Sequence, residues 1–62
     1  DVATSLDGDA RRLYEALGSD PVHLDALCQT TGCTPSDALV ALLQLEFDGH
    51  VRQLAGKQFR RA

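Results

Sequence analysis

Sixty-two residues allow one small domain with a modest, mainly aliphatic core, and six Lys or Arg against nine Asp or Glu leave a net charge of -3. That balance excludes a general nucleic-acid binder held by phosphate neutralisation, so any basic function has to be local. No apolar run approaches the roughly 20 residues of a membrane helix, and no signal-peptide layout opens the chain; a cytoplasmic protein without membrane contact is expected.

The first element is an amphipathic helix. Asp7 or Asp9 can cap it, and Leu6, Ala10, Leu13 and Leu17 recur at i, i+4, i+7 and i+11, a one-sided apolar stripe that ends at Gly18. Arg11 and Arg12 fall on its outer side, solvated or paired with Glu15, Asp7 or Asp9. Ser19, Asp20 and Pro21 then break the chain. Val22 and His23 make only a very short strand, the third of a small sheet, before Asp25 opens the next helix. With no Ser, Cys or Asp in triad order around it, His23 reads as structural or solvent-facing.

The second helix, about Leu24 to Thr31, stops at Gly32. Cys28 lies on its apolar stripe with Leu24, Leu27 and Thr31, and Cys33 follows the glycine where an apolar residue packs back on the helix, so both are expected to be buried. Four residues between the cysteines are a poor match to the tighter pairs usual in zinc sites, so burial is expected ahead of a disulfide or of a metal site with His23 and His50. Thr34 then caps a third helix, with Pro35 as its first residue and Asp37 placed to return a capping bond. This helix ends at Gly49. Strands His50 to Leu54 and Lys57 to Arg61 flank Ala55 and Gly56, with Val51 and Phe59 as inward anchors. Helix, short strand, helix, turn, helix and hairpin make a mainly α winged helix-turn-helix with a stubby two-stranded wing.

The run PVHLDALCQTTGCTPSDALVALLQLEFDGHV followed by AGKQFRR resembles the C-terminal winged-helix domain of the DNA-processing protein A (DprA/Smf) family. Its most telling pieces are the turn at Thr31 and Gly32, the segment Leu42 to Val51, and the glycine-tipped hairpin. The resemblance implies a non-catalytic accessory domain. The parent proteins bind incoming single-stranded DNA in natural transformation and help load the recombinase RecA, chiefly through a Rossmann-like domain N-terminal to this one. Residues 1–62 are accordingly expected to be one domain from the C-terminal end of a longer protein.

On a helical wheel the third helix turns Ala38, Leu42 and Leu45 to the core, while Val40, Leu43 and Phe47 fall on another side. Asp37, Gln44 and Asp48 form a narrow polar strip. A major-groove helix needs Arg or Lys for guanine, or Asn or Gln for adenine, and here only Gln44 could read a base while Asp37 and Asp48 would oppose phosphates. Val40, Leu43 and Phe47, rimmed by Gln44 and Asp48, have the composition of a protein-binding or self-association patch, unless the hairpin or first helix folds over them. Glu46 falls between the apolar faces and wants a partner, with Arg52 or Arg12 as candidates.

Four of the six basic residues, Arg52, Lys57, Arg60 and Arg61, sit in the hairpin. They are candidates for weak, sequence-independent contact with single- or double-stranded DNA, or else solvated or bonded to Glu46 or Asp48. No paired carboxylates, nucleophile and base, phosphate-cradling loop or metal constellation stands out, so no enzyme activity, cofactor or metal is expected.

Overall fold

The computed structural model describes Leu6 and residues 8–62. Asp7, one of the two expected caps of the first helix, lies outside the described residues. Helix α1 runs Gly8–Ala16, and Asp9 sits within its first turn rather than ahead of it. Asp9 pairs with Arg12, and Arg11 reaches Glu15 at 3.5 Å. Both pairs are exposed and contribute little, about 0–1 kcal/mol each. α1 stops short of Gly18 because the Leu17 N–H turns back to the Tyr14 carbonyl at 3.2 Å. That tight turn still drops Leu17 into the core.

Strand β1, Val22–His23, leads directly into α2, Leu24–Thr31. His23 is the cap: its backbone is extended and its Nδ1 accepts the Asp25 N–H at 3.1 Å. One orphan donor of α2 is thereby satisfied without Ser, Thr, Asn or Asp. At the other end Gly32 takes φ 79° and donates to the Cys28 carbonyl at 2.8 Å. Thr31 secures the turn that follows, its hydroxyl donating to the Leu27 carbonyl at 2.7 Å and accepting the Cys33 N–H at 3.3 Å. Cys28 and Cys33 are free thiols packed at the core margin, half-buried rather than buried.

Helix α3, Pro35–Phe47, starts where the capping sequence puts it. Thr34 Oγ1 accepts the Asp37 N–H at 3.2 Å. Among the described residues the Asp37 carboxylate returns no bond to Thr34. The helix closes in a Schellman arrangement, with Gly49 at φ 84°, its N–H on the Glu46 carbonyl at 3.0 Å and the His50 N–H on the Leu45 carbonyl at 2.9 Å. Only a residue at ease in the left-handed region fits there.

Strands β2, Val51–Leu54, and β3, Gln58–Arg61, form the wing, and the sheet order is β1-β3-β2. Val22 pairs with Phe59, and the hairpin register runs from Val51 opposite Arg61 to Leu54 opposite Gln58. That register leaves three residues in the turn, Ala55, Gly56 and Lys57, not the expected two. Lys57 joins Gly56 at positive φ, 59° and 80°, and its carbonyl accepts the Leu24 N–H at 2.9 Å. The wing tip is thus tied to the start of α2.

The three helices and the inner face of the sheet enclose Leu13, Leu17, Leu24, Leu27, Ala38, Leu42, Leu45, Val51 and Phe59. Burying a leucine side chain stabilises by about 1.5–3 kcal/mol, so a cluster of this size is what holds so short a chain folded. Ala38, Leu42 and Leu45 are its α3 seam, all fully buried. α3 has therefore spent one face, and its remaining apolar residues have no place inside.

Candidate interaction surface

Val40 is 71% exposed, Leu43 65% and Phe47 87%, with Leu39 adding a further 46%. Neither the hairpin nor α1 covers them. They form one continuous strip along α3, because positions 39, 43 and 47 stack at i+4 spacing and Val40 lies beside them. Val40, Leu43, Gln44, Glu46 and Phe47 line an open hollow of about 530 Å³. A smaller one of about 130 Å³ lies between α3 and the wing, lined by Leu39, Leu43, Glu46, Gln53 and Phe59. Scattered exposed leucines are ordinary on a protein surface, but four large apolar side chains on one helix face are a patch.

Carboxylates border that patch. Glu46 is half-buried where the two hollows meet, and among the described residues it pairs with neither Arg52 nor Arg12, since Arg12 is held by Asp9. On the opposite border Gln44 donates its side-chain amide to the Asp48 carboxylate at 3.2 and 3.3 Å. The one side chain on α3 suited to adenine is thus turned onto its own helix.

The wing divides its cations between two faces. Cross-strand partners share a side of the sheet, so Val51, Gln53, Phe59 and Arg61 lie on the inner face and Arg52, Leu54, Gln58 and Arg60 on the outer one. Arg61 is structural: its Nε and a terminal nitrogen both donate to the Tyr14 carbonyl, at 3.1 and 3.0 Å, and its guanidinium sits 4.2 Å from the Tyr14 ring centroid. α1 has no basic residue in its last turn, and Arg61 supplies the missing positive charge at that helix end from the far end of the chain. Arg52 stands directly opposite Arg60 on the outer face. No carboxylate pairs with either among the described residues; Arg60 instead donates to the Arg61 carbonyl at 3.1 Å.

The profile of the DprA winged helix domain matches residues 1–57 of the 62. The chain belongs to that family. No curated protein matches it.

In this DprA winged-helix domain, the third helix, the usual reading element of a helix-turn-helix, has an acid-bordered apolar face. The described residues hold no cluster of three or more His, Cys, Asp or Glu able to bind a metal, and no helix long and apolar enough to cross a membrane. Burial pushes the Cys28 thiol above its ordinary range, with Asp25 and Cys33 adding to the shift. Cys28 is therefore a packed thiol rather than an activated one. Leu39, the capping role of His23 and the Arg61 contact with Tyr14 are among the features sequence reasoning missed. Leu39 was detectable on the same helical wheel, one turn before Leu43. Histidine capping carries no comparable signal.

Proposed function

We propose that this domain serves a DNA-processing protein of natural transformation and recombinase loading as a non-catalytic cytoplasmic accessory module, acting mainly by protein contact or self-association through α3. The exposure of Val40, Leu43 and Phe47 carries the reading. An apolar face left in water on so small a domain is stabilised when a partner covers it, and Gln44 gives the face a polar rim.

The test is a titration of the isotope-labelled chain with short single- and double-stranded DNA at low salt, alongside sedimentation of the chain alone and of Phe47→Ser. Strong shifts of the α3 amides around Gln44 on DNA addition would sink the protein-contact reading. Concentration-dependent association that disappears in Phe47→Ser would establish its self-association form.

A second reading has its own support, the outer Arg52 and Arg60 and the turn residue Lys57. Like charges directly opposite on a sheet disfavour the pairing, and no acidic side chain offsets them here. Weak, sequence-independent DNA contact by these three residues would show as small shifts confined to the wing. Its logarithmic salt slope would be about -2 to -3, as about three neutralised phosphates require.

A further inference from the structure

The charges around the α3 face select its occupant, an inference that rests on the protein-contact reading above. Leu39, Val40, Leu43 and Phe47 span an arc of roughly 100° at helical spacing. Glu46 borders that arc on one side and Asp37 and Asp48 on the other, and α3 contains no Lys or Arg. A second copy of the chain fits badly. Packed parallel, Glu46 of each copy would lie near Asp48 of the other along both borders, and packed antiparallel, Asp37 would meet Asp48, in a setting that dries as the faces close.

We propose that the α3 face binds an amphipathic helix of another protein whose apolar residues, at i, i+3 or i+4, and i+7, are flanked on both sides by Arg or Lys. Glu46 sits where the two hollows meet, so a side chain filling either one brings its helical neighbours beside that carboxylate. An arginine there gives Glu46 the ion-pair partner that it lacks among the described residues. Helix-in-groove docking of this kind takes affinity from the apolar anchors and orientation from the bordering charges.

Two synthetic peptides of about 20 residues with Ala-rich outer faces, longer than the roughly 12–15 at which isolated helices are marginal in water, provide the probe. They share leucines at the apolar positions and differ only in Arg or Glu flanks. The Arg-flanked peptide is expected to shift amides between Leu39 and Asp48 and to bind at least about tenfold more tightly than its Glu-flanked twin. Glu46→Gln should cost that peptide about threefold or more in affinity and leave thermal unfolding unchanged, because Glu46 makes no ion pair among the described residues. Equal binding of the two peptides through α3, or a preference for the Glu-flanked one, overturns this inference and leaves the protein-contact reading standing. Failure of both peptides with concentration-dependent self-association through Phe47 does the same. Failure of both with the chain monomeric throughout overturns both.

Discussion

Replacing Arg61 with Ala should destabilise the domain by about 2 kcal/mol. Two charge-assisted hydrogen bonds to one carbonyl disappear, but the Tyr14 carbonyl keeps the Leu17 N–H at 3.2 Å and is not orphaned. The loss is then that of one charged donor group, about 1.5–3 kcal/mol, with the cation–π contact over Tyr14 contributing about 0.5–1 within it. A chain of 62 residues has a total stability of about 3–9 kcal/mol. The loss is therefore a sizeable fraction, and at about 4–8 °C per kcal/mol it lowers the melting temperature by roughly 8–16 °C. Circular dichroism during heating and in urea reads both quantities. Arg61→Lys keeps the charge but not the fork and should recover less than half the loss. Tyr14→Leu removes the ring and keeps the carbonyl, so combining it with Arg61→Ala should show coupling of about 0.5–1 kcal/mol. A loss under about 0.5 kcal/mol for Arg61→Ala would show that the contact is incidental and that β3 alone holds the chain end.

Three further outcomes follow from the same packing. Leu42→Ala empties a fully buried α3 position and should cost about 2–5 kcal/mol, whereas Phe47→Ser, at an exposed one, should change the urea midpoint by less than about 0.5 kcal/mol equivalent. Thr34→Ala removes the cap on the Asp37 N–H and should cost about 1 kcal/mol, with Thr34→Ser nearly neutral, as read by urea titration. Because the folded Cys28 thiol titrates above its unfolded value, stability is full below the unfolded pKa and falls as pH rises from there through the folded one. Unfolding free energy followed across that alkaline range should decline less in Cys28→Ala than in the unmodified chain, and iodoacetamide should label Cys28 more slowly than a free model thiol at the same pH.

The parts legible in the sequence are those fixed by neighbours a few residues apart. Thr34 and Pro35 start α3, Gly32 and Gly49 close α2 and α3, and the spacing of Ala38, Leu42 and Leu45 sets the seam. Each follows from a local backbone requirement or from helical periodicity. The contact of Arg61 with the Tyr14 carbonyl spans 47 residues and depends on where the sheet lies against α1, which no local rule encodes. The three-residue turn has a similar cause, since the Lys57 carbonyl is held by Leu24, outside the hairpin. The wheel separated Val40, Leu43 and Phe47 from the core, but their exposure depended on where the wing settled. The wing packs into the core through its own Val51 and Phe59 and leaves Val40, Leu43 and Phe47 bare.

That placement of the wing also bears on how the two proposed contacts relate. Gln53 and Phe59, on the inner sheet face, share a hollow with Leu39 and Glu46, which puts the inner face beside the apolar strip of α3. Arg52 and Arg60 are on the other side of the same sheet. A helix seated on α3 would therefore meet the inner edge of the wing, and a phosphate backbone would meet its outer face, so neither ligand need displace the other. Salt separates them as well. Screening weakens a contact made of arginines and phosphates far more than one made of Leu43 and Phe47. In a winged-helix fold whose third helix carries carboxylates and no Lys or Arg, the two proposed contacts would therefore occupy different surfaces, a protein helix on α3 and a phosphate backbone on the outer wing.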